Sequence, residues 1–548
     1  MTSRDNERTF DYVIVGAGTA GCVLANRLSE DQANRVCLIE AGLKDRHPFI
    51  HVPALVAAAL ATPSLDWRYW TVPQAHLNGR KVPIPRGRVL GGTSSINGMV
   101  YMRGNPKDYD DWAAAGNRGW SYPEVLPYFI RAENNEAFDG SSYHGKGGPL
   151  NVSNIKRINP LNTAFLDAMQ SLQFRRREDF NGEDTEGYGP RQATIRNGYR
   201  ESGVTSFLKP AMKRPNLEVL TGALVTRVVV ENRRATGVEF QRGGETRRVA
   251  ARREIIVSGG SIGSPQILML SGIGDGAALR SLGISVNHNL PGVGTNLHDH
   301  IASAVRMVTS DSTSYGLSLK ALPRGIWNIL EYLLLRQGPF ASFVFESNAF
   351  LKTTDGLDRP DTQVVFQPAR RNESTFPLPL GHGFNLSIVL LYPKSRGRIA
   401  LSSPDPREAP LIDPNILAAP EDIEPLLRGL KLARRVFATP AFAKYKATEF
   451  LPGAAAEGDD ALRDYVRASA ATVYHPAGTC RMGAGGDAVV TPELKVRGME
   501  GLRVADASIF PRLMGGNPNA PVVMVAEKAA DMILGRAPLA PVQLPRDR

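Results

Sequence analysis

The chain has 548 residues, more than one hydrophobic core absorbs, since single cores stop growing near about 250–300 residues; at least two domains are expected. Hydrophobic content of 42% and charged content of 22% exclude a disordered or fibrous protein. The net charge of +11 gathers in short arginine clusters such as Phe174–Glu178 and Arg247–Glu254. No helix-turn-helix, zinc-finger or RNA-binding aromatic signature accompanies them, so they read as solvated faces and no nucleic-acid partner is expected.

The first ten residues, MTSRDNERTF, are charged and lead straight into a strand, without the apolar core and cleavage site of a secretory signal. Two apolar runs, ALVAAALA (Ala54–Ala61) and IWNILEYLLL (Ile326–Leu335), fall short of the roughly 18 residues of a membrane span, and Asn328 and Glu331 break the second. Cys22, Cys37 and Cys480 form neither a CxxC pair nor a zinc spacing, which fits a reducing compartment, and no metal cluster is apparent. The expectation is a cytoplasmic enzyme, with peripheral contact at the inner membrane face left open.

The first element is the β-branched run Tyr12–Val15, which enters Gly16-Ala17-Gly18-Thr19-Ala20-Gly21 and then a helix-forming stretch. This is G-x-G-x-x-G between a strand and a helix. Gly16 permits the tight turn, Gly18 lets backbone approach a pyrophosphate, and Gly21 lets helix pack closely on strand. A second apolar run ends at Glu40, about 20 residues on, where an acid accepts from ribose hydroxyls. NAD and FAD present the same ADP half, and these residues do not choose between them.

Next, PRGRVLGGTSSINGMVYMRGNPKDYDDWAAAG is a Gly- and Ser-rich stretch. It is either a plain surface loop or a run of backbone N–H groups and hydroxyls that cradles phosphates or ring carbonyls. Pro149–Val204 lacks a Rossmann repeat. After two β-rich runs the chain reads REIIVSGGSIGSPQILMLSGIG, a buried strand (Glu254–Val257), a break at Gly259-Gly260 and a helix, which returns it to a parallel sheet. The turn-rich LPGVGTNLHDH follows. Residues 307–468 change to mixed strands and helices, and the C-terminus returns to a short strand (Leu502–Ala505) and a helix from about Pro521. The predicted fold is α/β, α+β overall: a Rossmann-like dinucleotide domain assembled from residues 1–155, 215–306 and 469–548. A substrate domain with an antiparallel sheet and flanking helices is formed by 156–214 and 307–468.

These blocks carry a resemblance. The G-x-G-x-x-G with Glu40, GRVLGGTSSINGMVYMRGNPKDYD, GSIGSPQILMLSGIG, NLHDH, YHPAGTCRMG and VADASIFP...GNPNAP are similar, in order, to the glucose-methanol-choline (GMC) family of FAD-dependent oxidoreductases. Within it, the segments LDWRYWTVPQAHLNGRKVPIPRG and YPKSRGRIALSSPDPREAPLIDPN look like bacterial choline-dehydrogenase-like and medium-chain alcohol dehydrogenases. The resemblance implies FAD, met by Gly16, Gly18, Thr19, Ala20 and Gly21 at the pyrophosphate and by Glu40 and Ala41 at the adenosine ribose. Val225 would meet the adenine edge; Arg88, Gly91, Gly92, Thr93, Ser95, Asn97, Gly98 and Met99 would lie along the pyrophosphate and flavin. Asp506, Ala507, Asn519 and Pro521 would close the far end. Some members attach the flavin to a histidine of the first signature; here Ile96 and Asn97 stand there, so non-covalent FAD is expected.

Oxidising an alcohol needs a base for the hydroxyl proton and an acceptor, the flavin N5, for the hydride. A neutral imidazole suits the first task, and His475, beside Pro476 and the Gly478-Thr479 turn, is the candidate. Asn519 is the candidate to orient the alcohol oxygen, with capping of the following helix as its plain structural role. Glu346, Phe345 and Tyr474 are candidate pocket residues. Glu346 could balance a quaternary ammonium with help from Trp67, Tyr69, Phe343 or Phe345, or be structural; His298 and His300 are expected to support the flavin loop. The expected reaction is oxidation of a primary alcohol to an aldehyde, with electrons going to a quinone-type acceptor or to oxygen, in a monomer or homodimer. A choline-specific dehydrogenase and a lyase or photodecarboxylase on the same fold are the alternatives.

Overall fold

The structure is a computed structural model and describes residues 8–371 and 380–544. The run RTFDYVIV is β-branched and aromatic and forms β1 (Arg8–Val15), buried from Phe10 onward. It is followed by α1 (Thr19–Leu28), β2 (Val36–Glu40), β3 (Leu217–Thr221), β4 (Leu224–Glu231), β5 (Arg234–Arg242), β6 (Glu245–Val257) and α2 (Gly260–Leu270). The first sheet has the order β3-β2-β1-β6-β5-β4, and the strand Leu502–Val504 also pairs with β6. Pairing is parallel from β3 through β2, β1 and β6 to Leu502–Val504 and antiparallel for β5 and β4. β1, β2 and the end of β6 are buried on both faces, which is why they read as continuous apolar runs. Val15 pairs with Val257 and Val257 with Val504, so both ends of the chain meet in one sheet. The C-terminal helix Asn519–Leu534 packs on α1, and Arg27 forms an ion pair with the buried Glu527 across that contact.

The second sheet contains β7 (Ile301–Thr309), β8 (Ser347–Leu351), β9 (Thr362–Gln367), β10 (His382–Leu390), β11 (Thr448–Leu451) and β12 (Ala471–Thr472). Its order is β11-β7-β10-β9-β8, ending on Gly187–Pro190, with antiparallel pairing throughout. Side chains alternate across it, as the period of two requires. One face packs with the helices Pro160–Ser171 and Ile423–Phe437 around Phe366 and Phe384. The other presents Ala302, Ala304 and Arg306 of β7, Gln363 and Gln367 of β9, and Asn385 and Ser387 of β10 to a cavity. β12 pairs with the start of β7, Ile301 opposite Thr472. That pairing draws the segments just before β7 and just after β12 together.

The two cores depart from the expected boundaries. Leu77 and Val82 pack in the second core, while Val204, Phe207, Leu208 and Ala211 pack in the first, because the turn they form lies against α1. Among the described residues no helix is long and apolar enough to cross a membrane.

Candidate active site

A cavity of about 1900 Å³ runs between the two sheets. At one end it is lined by Gly16, Gly18, Thr19, Ala20, Glu40, Ala41 and Val225, and further along by Gly92, Thr93, Asn97, Gly98, Met99, Asp506, Ala507 and Asn519. Gly16 has φ +98°, and a β-carbon there would lie 2.5 Å from the Ser258 carbonyl oxygen; one on Gly21 would lie 1.9 Å from the Gly16 carbonyl oxygen. Only glycine fits either position. The N-termini of α1, α2 and the C-terminal helix all open on the cavity, through Thr19, Gly260 and Asn519. The positive ends of helix dipoles converge there, which suits a pyrophosphate, although at α2 the Gly260 N–H is already taken by Asp506. Glu40 accepts from Ala17 N at 2.9 Å and Gly42 N at 2.8 Å, and burial pushes its carboxyl up to about 7. A carboxylate has about four acceptor sites, so lone pairs remain for a ribose hydroxyl. Asp506 accepts from Gly260 N at 2.8 Å and Ser508 N at 2.7 Å, which ties α2 to the C-terminal segment. Glycine cradle, helix termini and ribose acceptor together fit FAD.

Five of the expected cofactor residues do not line the cavity. Gly21 serves the α1–β1 contact, and Gly91, at φ +87°, carries the chain into the loop. Ser95 is buried and donates to Leu90 O at 2.7 Å. Pro521 is buried in the C-terminal helix. Arg88 is exposed and stacks on Trp67, 4.7 Å from the ring centroid. Each supports the cradle or lies outside it.

His475 and Tyr474 line the same cavity. Tyr474 has φ +72°, a left-handed conformation that costs a non-glycine residue about 1–3 kcal/mol and is held here from both sides. Its N–H donates to Thr472 Oγ1 at 2.8 Å, and its carbonyl accepts from Arg86. Asp299 of NLHDH accepts from His475 N at 2.8 Å and from the Thr472 hydroxyl, which anchors the loop; burial pushes its carboxyl up to about 7.

The His475 ring lies between two partners. Its Nδ1 is 2.9 Å from His300 Nδ1, and Asn517 Nδ2 donates to its Nε2 at 3.1 Å. The consistent proton assignment places a hydrogen on His475 Nδ1, donated to His300, and leaves Nε2 unprotonated, its lone pair accepting from the Asn517 amide. Burial, reinforced by His300, Arg86 and Arg191, holds the imidazole well below its ordinary 6.5, so it is neutral at physiological pH. Burial likewise lowers His300 to about 4. His298 is buried, with neither ring nitrogen partnered.

The asparagine beside His475 is thus Asn517, not Asn519. Asn519 begins the C-terminal helix, where its side chain turns to α1 and accepts from Thr19 Oγ1 at 2.8 Å. Two positions apart at a helix entry, the two asparagines point in different directions, and spacing does not reveal which faces His475. His300 is likewise a partner of His475 rather than a loop support; its signal is its place just before β7.

Glu346 is fully buried and does not line the cavity. It accepts from Asn159 N at 2.7 Å, Tyr315 OH at 2.8 Å and the Asn162 amide, and burial pushes its carboxyl up to about 7. Its lone pairs are spent on structure, so it is no counter-ion for substrate. Phe343 and Phe345 line the cavity as neighbours 6.2 Å apart. Trp67 and Tyr69 stack on each other at 5.7 Å.

The chain has relatives along nearly its whole length. Profiles described as GMC oxidoreductase match residues 10–302 and 393–526. It is 43% identical to an alcohol dehydrogenase (acceptor) of Pseudomonas putida over 97% of both chains. It is also 43% identical to an oxygen-dependent choline dehydrogenase of Brucella anthropi, over 97% of this chain and 96% of the relative. Pyridoxine 4-oxidase from Mesorbium loti superposes with a TM-score of 0.87 at 33% identity, covering 96% of this chain and 100% of that one. A glycine cradle and three helix termini shaped for FAD, on a fold shared end to end with these enzymes, make the protein a member of the GMC oxidoreductase family with FAD as its cofactor.

Proposed function

We propose that the protein oxidises a primary, uncharged alcohol to its aldehyde, with His475 Nε2 taking the hydroxyl proton, and delivers the electrons to a quinone-type acceptor. The observation that carries this reading is the His300–His475–Asn517 array: a neutral, cavity-facing imidazole with one nitrogen engaged and the other beside an amide donor. Bound FAD, held non-covalently because neither Ile96 nor Asn97 offers a nucleophile for attachment, supplies the acceptor for the hydride leaving the carbinol carbon. A hydroxyl seated between His475 Nε2 and Asn517 Nδ2 gives its proton to the ring while its oxygen accepts from the amide. Charge that develops on that oxygen is stabilised by the amide and by the positive field of Arg86 and Arg191. His300 holds Nδ1–H throughout, so the ring keeps its orientation. In this reading the first sheet carries the cofactor and the second forms the substrate domain.

Charge favours an uncharged alcohol over choline. The acidic residues among the described cavity lining are Glu40 and Asp506, both at the cofactor end, whereas Arg86, Arg191, Arg306 and Arg371 line the remainder. With Glu346 consumed by its own network, a quaternary ammonium has no counter-ion there. The alcohol dehydrogenase (acceptor) relative supports a non-oxygen acceptor. Anaerobic mixing of the holoenzyme with aliphatic alcohols, benzyl alcohol and choline tests the proposal, followed by turnover with oxygen and a quinone analogue in parallel. Bleaching of the flavin by aliphatic alcohols but not by choline is expected. No bleaching by any alcohol would end the reading, and faster bleaching by choline would end the charge argument.

A further inference from the structure

The run IWNILEYLLL, too short and too interrupted to span a bilayer, lies in the helix α3 (Leu322–Leu335). A surface helix normally turns its apolar stripe inward. This one is inverted: of its residues only Tyr332 is buried, while Leu322, Ile326, Trp327, Leu330, Leu333 and Leu334 are exposed, Trp327 to 65% and Leu334 to 78%. The residues that interrupt the run face the protein. Asn328 lines the cavity, and Glu331 is ion-paired with Arg157. Exposed Leu317, Leu319 and Leu380 extend the apolar surface, with Leu317 bridging to Leu380. So large a contiguous apolar patch on a folded surface marks an interaction site.

Two further observations identify what covers it. The first is charge: Lys320 and Arg336 flank the helix, Arg324 lies in its first turn, and its one acid, Glu331, is neutralised by Arg157. The combination of leucines and a tryptophan outward with flanking basic residues is that of a helix lying in the interface of an anionic bilayer. The second is continuity with the cavity. Leu317, Ala321, Arg324, Gly325 and Asn328 line the cavity that also holds His475. The other apolar run singled out in the sequence, Ala54–Ala61, reaches the same place, since Leu55 and Leu60 line the cavity and Pro53–Leu55 packs against Pro339–Ala341 just beyond α3. A second protein molecule seated on this ridge would lie across the cavity mouth, whereas a lipid surface leaves it open to small apolar molecules.

We propose that α3 seats the enzyme on an anionic phospholipid bilayer, its apolar ridge at the headgroup–acyl boundary, so that the cavity opens toward the lipid. The apolar alcohol or the quinone-type acceptor then enters from the membrane. The docking stands on the exposed apolar face of α3, its flanking charge and its place beside the cavity; the route of entry rests on the reading of the cavity as an alcohol site.

The test is flotation of the holoenzyme with phosphatidylcholine vesicles containing phosphatidylglycerol, comparing the wild type with the double variant Trp327→Glu, Leu334→Glu. Neither side chain lines the cavity, and both are exposed, so FAD content and flavin bleaching by a water-soluble short alcohol should be unchanged. The wild type is expected to float and the variant's vesicle binding to fall by about tenfold or more. A wild type that stays with the soluble fraction overturns docking, as does equal flotation of the two proteins. A wild-type dimer that the substitutions dissociate, without vesicle binding, assigns the ridge to a second copy and also overturns it. Flotation lost in the variant while no alcohol bleaches either flavin leaves docking intact and refutes only the alcohol reading.

Discussion

Asn517→Ala tests the array around the base most directly. In the resting site the Asn517 amide makes a long, neutral hydrogen bond of 3.1 Å to His475 Nε2, worth about 1 kcal/mol. In the transition state the same N–H meets a developing alkoxide in a cavity screened from water, where one such donor contributes about 3–4 kcal/mol. Only the difference accelerates the reaction, so the loss is about 2–3 kcal/mol, or roughly 30- to 150-fold in the rate of flavin reduction. Stopped-flow bleaching under anaerobic conditions measures it, with flavin absorbance giving FAD content per chain. Asn517→His, which restores a donor, should recover most of the rate. Asn519→Ala should instead weaken FAD retention through loss of the Thr19 bond, with little change in bleaching per bound flavin. The reasoning fails if Asn517→Ala reduces its flavin at the wild-type rate, or if Asn519→Ala slows bleaching equally while retaining FAD.

Removing the base itself, His475→Ala, should slow bleaching by about 10²- to 10⁴-fold without loss of FAD. Because burial holds His475 well below 6.5, kcat/KM for an alcohol should stay level as pH falls through 6.5 and decline only in more acidic solution; an acid limb centred at 6.5 would contradict the buried, neutral imidazole. Gly16→Ala forces a β-carbon to 2.5 Å from the Ser258 carbonyl at φ +98°, and the purified chain should carry no FAD; normal flavin absorbance would show that the turn tolerates a side chain. Glu346→Gln puts an NH2 group in place of one accepting oxygen among the donors of Asn159, Asn162 and Tyr315 and should cost about 1–3 kcal/mol, read as a lower Tm, with bleaching per bound flavin retained; a selective loss of bleaching would return Glu346 to the substrate site.

The cofactor end of the molecule was legible because its determinants are local. A β-branched run, glycines at fixed offsets and a carboxylate closing the next strand each act on atoms a few residues away, so Gly16, Gly18 and Glu40 lie where the pattern places them. The return of β6 and the strand Leu502–Val504 to the same sheet was also readable, from apolar runs with turn residues behind them. His475 stood out through its proline and glycine neighbours, although those residues say nothing of what it touches.

Its partners belong to the tertiary structure. His300 reaches His475 because β12 pairs with the start of β7, a contact between segments more than 170 positions apart for which no local spacing exists. Whether Asn517 or Asn519 faces the ring depends on where the chain turns into its last helix, and two positions there change the direction of a side chain. Glu346 reads as a candidate charge in sequence and becomes a satisfied structural carboxylate once Asn159, Asn162 and Tyr315 close around it. The apolar stretch 326–335 is recognisable as a helix face in either setting, but only packing decides that this face turns outward. Sequence by itself therefore determined the family and the core of the cofactor cradle, and singled out His475, all encoded over short distances. The charge of the pocket, the partners of His475 and the direction of the apolar helix are relations between distant segments, and they exist only once the two sheets have come together.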